Sequence, residues 1–253
     1  MKKVLSLLMS IIMLLSITAG IDLSVYALES SGKCGENVTY TFDELTGTLT
    51  LSGTGETYNY TLDSKSPFSS NIKKVIVNNG VTELGDYLFY DCKNINTVLL
   101  PNSIVTIGSY IFTSCSELTS INLPSDISKI GNNAFEGCSK LTRITLPDSL
   151  KNIECYTFQN CSNLVNVKIP NNVVNIEKNA FTNSGLINIV IPDSVESIGK
   201  ESFMNCNSLL KITLSNNINI IEDSTFKNCA KLKNIELPDS VTKICEMAFY
   251  GCI

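Results

Sequence analysis

The sequence predicts a right-handed, β-rich solenoid of stacked coils, headed by an N-terminal β-hairpin cap. Three observations carry this. Phenylalanine recurs at a fixed step, cysteine and proline keep the same step, and each unit holds one short alternating apolar run. The phenylalanines are Phe89, Phe112, Phe135, Phe158, Phe181, Phe203, Phe226 and Phe249, spaced by 23 residues with a single step of 22. Cys92, Cys115, Cys138, Cys161, Cys206, Cys229 and Cys252 each follow a phenylalanine by three positions, and Ser184 takes the remaining place. Pro101, Pro124, Pro147, Pro170, Pro192 and Pro238 open successive units, with Ser215 standing in once. A unit of this length containing a proline has no room for two packed helices, whose repeats start at about 33 residues; the leucine-rich repeat, at about 20–29 residues, fits.

In chain order, Met1-Lys2-Lys3, the apolar run from Val4 to about Ala19 and the ending Val25-Tyr26-Ala27 make residues 1–27 a secretory signal peptide. Gly20 and Asp22 break the run before it reaches the roughly 20 apolar residues of a membrane span, so no membrane insertion is expected after cleavage. Residues 28–70 form the β cap and a linker: "VTYTF" (38–42) and "TLTLS" (48–52) alternate around the turn-rich "DELTG" (43–47). Residues 71–253 form the solenoid, starting with the strand half of a coil, "NIKKVIV" (71–77).

Within a coil, "LTRITL" (141–146) alternates as a short strand with one buried face, and the following proline ends it by withdrawing a ladder donor. "AFEGC" (134–138) has length for a single 3₁₀ or α turn, and a second short strand is expected around each "SVxxI". One coil cannot bury its own apolar positions. Stacked coils can, with Phe on Phe and Ile on Ile in continuous columns. The last coil stops at Cys252-Ile253, before its strand, so the chain reads as part of a longer protein.

Composition narrows the function classes. A formal net charge of −5 argues against nucleic acid or an anionic membrane surface as partner. The chain has no histidine, which removes histidine-based triads, histidine-ligated zinc and a histidine general base. Neither catalysis nor a cofactor or metal is expected. The cysteine column reads as small buried filler, and its spacing lacks the C-x₂-C clustering of a metal site. Export and the even count of ten cysteines keep disulfides open, with the off-column Cys34, Cys155 and Cys245 the first places to look. Ser103, Asp126, Ser149, Asn172, Ser194, Asn217 and Ser240, two residues after each proline position, are expected to bond turn and neighbouring-coil backbone.

The consensus P-x-S-V-x-x-I-G-x-x-A-F-x-x-C-x-x-L-x-x-I-x-L resembles the BspA-like leucine-rich repeats of bacterial surface antigens. The resemblance covers about 71–253 and extends into "GKCGENVTYTFDELTGTLTLSGTG" (32–55), which is similar to a module found ahead of such repeats. It implies a secreted or surface-displayed binding protein, adhesin-like, with a protein or surface glycan as ligand. It implies no catalytic residue.

The outward positions of the strand are then the candidate site. They include Asn122, Arg143, Thr145, Val165, Lys168, Ile187, Val190, Leu210, Lys211 and Thr213 on the expected concave face. Most are polar, whereas Val165, Ile187 and Leu210 put three apolar groups in one column beside Val190, the kind of patch that marks a partner site. The other reading is a passive spacer or display module of a larger cell-envelope protein.

Overall fold

A computed structural model of the chain describes residues 30–252, so the signal peptide assigned to 1–27 lies outside the described residues. The described residues wind as a β-solenoid with no helix among them, and nine phenylalanine rings, from Phe68 to Phe249, stack along its interior. Consecutive centroids lie 5.4–5.7 Å apart with interplanar angles of 20° or less. This offset stacking suits the ring quadrupole.

At the N-terminus, β1 (Ser31–Lys33), β2 (Val38–Asp43) and β3 (Thr48–Gly53) form an antiparallel meander. The β2–β3 turn closes through Asp43, whose carboxylate accepts from Leu45 N and the Thr46 hydroxyl, both at 3.0 Å. Gly47, at φ 67°, takes the left-handed position that turn requires. After β4 (Gly55–Glu56), the chain reaches β5 (Lys74–Val77).

β3 pairs in parallel with β5, Leu49 opposite Val75 and Leu51 opposite Val77, and β5 pairs with Thr97–Leu99. The hairpin and the first solenoid strands are thus one sheet. β4 likewise lies beside Val81–Leu84 in a second sheet that continues through Thr106–Ile107 and Lys129–Ile130. Coil-to-coil pairing therefore begins at Thr48, upstream of residue 71. Phe68 supplies this first coil's ring, although it precedes Phe89 by 21 residues and is followed three later by Asn71 rather than cysteine.

Further along, the first sheet face is made of Ser120–Ile121, Arg143–Thr145, Asn166–Lys168, Asn188–Val190 and Lys211–Thr213. The second face takes the short strands expected at "SVxxI", from Asn152–Ile153 to Lys243–Ile244.

The "AFxxC" corner is a run of isolated turns rather than a helix. In the first, Tyr90 N bonds Tyr87 O and Cys92 N bonds Phe89 O, both at 3.2 Å, while Tyr87 and Asp91 hold φ near +57°. Two left-handed residues recur in every coil down to Met247 and Gly251. They turn alternate N–H groups out of the local ring and along the stack. Tyr87, Phe89 and Asp91 donate to Ser109, Ile111 and Thr113 of the next coil at 2.9–3.0 Å, and each later interface repeats the three bonds. Backbone donors that a helix would satisfy internally are satisfied here by the neighbouring coil.

Candidate functional site

Period-two geometry places the candidate residues on one face. In Arg143–Thr145, Asn166–Lys168, Asn188–Val190 and Lys211–Thr213, the central residue is buried and both flanking residues are exposed. All ten candidates, Asn122, Arg143, Thr145, Val165, Lys168, Ile187, Val190, Leu210, Lys211 and Thr213, are exposed. Strand register sets Thr145 beside Lys168 and Val190 beside Thr213, with Asn166 opposite Arg143 and Asn188 opposite Lys211.

The apolar column is contiguous. Ile187 N bonds Val165 O at 3.1 Å and Leu210 N bonds Ile187 O at 2.8 Å, so the three residues are successive rungs. Their exposures are 42%, 37% and 53%, and Val190 is 63% exposed. Arg143, Lys168 and Lys211 lie on the same exposed strand face, and none of the three forms an ion pair among the described residues. Leu99, in the first coils, is also exposed, so the hairpin does not cover it.

The strand ladder is interrupted between Asn166–Lys168 and Asn188–Val190, at the 22-residue step. In that shortened coil the chain turns at Gly185, where an added Cβ would lie 2.2 Å from Ser162 O. A shallow cleft of about 330 Å³ opens at the interruption, lined by Lys168, Asn188 and Val190. The deletion seen in the sequence thus lies inside the exposed apolar patch.

The cysteine column is structural. All ten cysteines are free thiols. Cys115, Cys138, Cys161, Cys206 and Cys229 each donate Sγ–H to the phenylalanine carbonyl of the preceding coil, at 3.1–3.3 Å. A disulfide along the column would break these bonds. Burial pushes the Cys92 thiol up to about 12 and the Cys138 thiol well above its ordinary value. The unfolded chain ionises first as pH rises. Thiol burial therefore supports the fold fully below the ordinary thiol range near pH 9, and that support is lost progressively above it. Alkaline titration followed by circular dichroism should show unfolding that begins above about pH 9. Ellman titration of non-reduced protein should find all ten thiols only after denaturation. Recovering fewer without reductant would mean bridges.

Five of the seven short polar side chains in the proline-plus-two column bond neighbouring coils as expected, whereas Asp126 accepts from the adjacent Ser125 hydroxyl at 3.0 Å. Ser103 and Ser240 donate to Val81 O and Ile218 O at 2.7 and 2.6 Å, and Asn172 and Asn217 to Asp148 O and Asp193 O at 2.8 and 2.6 Å. Ser149 pairs with Ile127 O. Ser194, by contrast, has a buried hydroxyl without a partner.

A second polar column escaped the sequence reading. Asn160, Asn183, Asn205 and Asn228 link amide to amide at 2.7–2.9 Å, all in left-handed backbone. Glu222, Asp223 and Cys245 gather their ligand atoms within 4.8 Å, but Asp223 is already committed to Lys200 at 2.7 Å. No helix among the described residues is long and apolar enough to cross a membrane.

Stacked 23-residue coils with an exposed strand face and ladders of repeated side chains define a leucine-rich-repeat solenoid. Residues 61–154 and 128–253 match the BspA type leucine rich repeat region, in six copies. The chain belongs to that family. Among solved structures, it is similar to a leucine-rich repeat protein of T. pallidum, with 21% identity over 67% of this chain and 86% of that one, at a TM-score of 0.53. It also matches a leucine-rich cell surface protein of Faecalibacterium prausnitzii, with 21% identity over 86% and 85% of the two chains and a TM-score of 0.45. The pneumococcal vaccine antigen PcpA matches at 16% identity over 87% and 80%, also with a TM-score of 0.45. No curated protein sequence matches the chain.

Proposed function

We propose that this is a secreted or cell-surface interaction protein, adhesin-like, that binds a protein or surface glycan through its exposed strand face. The observation that carries the reading is the column Val165–Ile187–Leu210, three exposed apolar side chains on successive rungs, beside Val190 and on the same face as Arg143, Lys168 and Lys211, which form no ion pair among the described residues. Desolvating such a centre while a polar rim stays wet is how interfaces concentrate their affinity. The signal-peptide reading of residues 1–27 supports export, and the family supports display at a surface. β1 and β2 act as a cover for the solenoid's N-terminal edge, since unpaired strand edges invite aggregation.

Ile187→Asp and Lys168→Glu test the site by adhesion to immobilised matrix proteins and host-cell layers. Each should weaken binding by about tenfold or more, equivalent to about 1.4 kcal/mol, with the thermal midpoint unchanged. Adhesion that survives both substitutions in folded protein would favour the spacer reading.

A further inference from the structure

We propose that the cleft between residues 61–70 and the first regular turn, Tyr87–Lys93, binds a hexopyranose ring of a glycan. Elsewhere along the corner, each turn takes three backbone bonds from the coil before it. Ile111 O and Thr113 O accept from Phe89 N and Asp91 N at 3.0 and 2.9 Å. At the first turn only Asp86 O is taken, by Tyr60 N at 2.9 Å, while the equivalent carbonyls of Leu88 and Tyr90 have no partner among the described residues; Leu88 is sealed in the core, and Tyr90 lines the cleft. The segment 61–70 carries none of the left-handed pairs that would supply those donors, and beside the Phe68–Phe89 stack a cleft lies between it and the turn. The space left is about 490 Å³, within the range of small-molecule clefts, about 300–1,000 Å³.

Its walls combine the two surfaces a sugar needs. Phe68, stacked on Phe89 at 5.4 Å, forms the apolar base. Tyr90 is 38% exposed and lies 5.5 Å from Tyr87, which is itself held by stacking on Tyr110 at 4.5 Å. Such a fixed aromatic face can take the C–H face of a pyranose. Lys65 and Lys93 bring donors to the rim, and Asp91, 3.3 Å from Lys93, brings an acceptor to join the carbonyl of Tyr90. Ser69, also in the lining, holds a buried hydroxyl without a partner. Sugar hydroxyls donate and accept at once, so they satisfy both sets. A lipid chain would leave these groups unpaired, and a phosphate would face Asp91 and the Tyr90 carbonyl oxygen. This site is separate from the strand face and does not depend on it.

Saturation-transfer NMR of the purified protein with methyl β-galactopyranoside and methyl β-glucopyranoside, each at millimolar concentration, tests the proposal. Transfer to ring protons is expected from at least one of them. It should fall about fivefold or more in Tyr90→Ala, fall also in Lys65→Ala, persist in Tyr90→Phe, and be unaffected by Ile187→Asp. Both alanine positions are exposed, and circular dichroism checks that each variant is folded. No transfer from either sugar would overturn the proposal, as would transfer unaltered in folded Tyr90→Ala and Lys65→Ala. Transfer lost in Ile187→Asp would assign sugar binding to the strand face instead.

Discussion

Phe135→Ala is expected to cost about 3–5 kcal/mol of stability. Phe135 is fully buried and lies between Phe112 at 5.5 Å and Phe158 at 5.7 Å, so truncation removes two ring contacts and leaves a cavity that neighbouring coils cannot collapse into. In a solenoid each coil contacts only its neighbours, which makes the central interface the coupling between two halves. Urea unfolding of this variant should therefore broaden or split into two steps, as well as shift to lower denaturant. Phe249, with one stacked neighbour and only partial burial, is the comparison, and its alanine variant should lose less. A cost below about 1 kcal/mol at Phe135 would show that the ring column is not the core.

Asn183→Ala is expected to cost about 2–4 kcal/mol from two separable sources. The side chain donates to Asn160 at 2.7 Å and accepts from Asn205 at 2.9 Å, and both bonds are lost. The backbone sits at φ 59°, where alanine is strained by about 1–2 kcal/mol and asparagine is tolerated better. Asn183→Gly separates these effects. It loses the same bonds without the strain, and should be about 1 kcal/mol more stable than the alanine variant even after glycine's greater chain entropy. Equal stability of the two would mean that the ladder bonds dominate and the backbone strain is absorbed elsewhere.

These two positions show what a single sequence does and does not display. The phenylalanine column was legible because one residue type fills it in every coil, and the cysteine and proline columns for the same reason. The asparagine column was not. Its members from the first turn onward are Asp91, Ser114, Gly137, Asn160, Asn183, Asn205, Asn228 and Gly251, which share a left-handed backbone rather than a chemistry. The companion column is harder still, since Tyr87, Asn133, Glu201 and Met247 adopt one conformation with unrelated side chains. The candidate strand face was legible because alternation fixes which side chains point outward, and all ten named residues are exposed. The cleft beside Tyr90 arises where the period lapses, in a 21-residue step holding the ring but not the cysteine, so counting positions passed over it.

The one-way bonding of the turn corner has an electrostatic consequence. At every interface the three N–H groups point toward the following coil and the carbonyls toward the preceding one. Peptide dipoles that cancel between alternating strand positions therefore add along this edge, as they do along a helix but with the opposite polarity relative to chain direction. The negative end falls at the first turn, where the carbonyls of Leu88 and Tyr90 take no bond among the described residues, and Lys65 and Lys93 line the cleft beside it. The corner that holds the coils together thus also polarises the molecule from end to end.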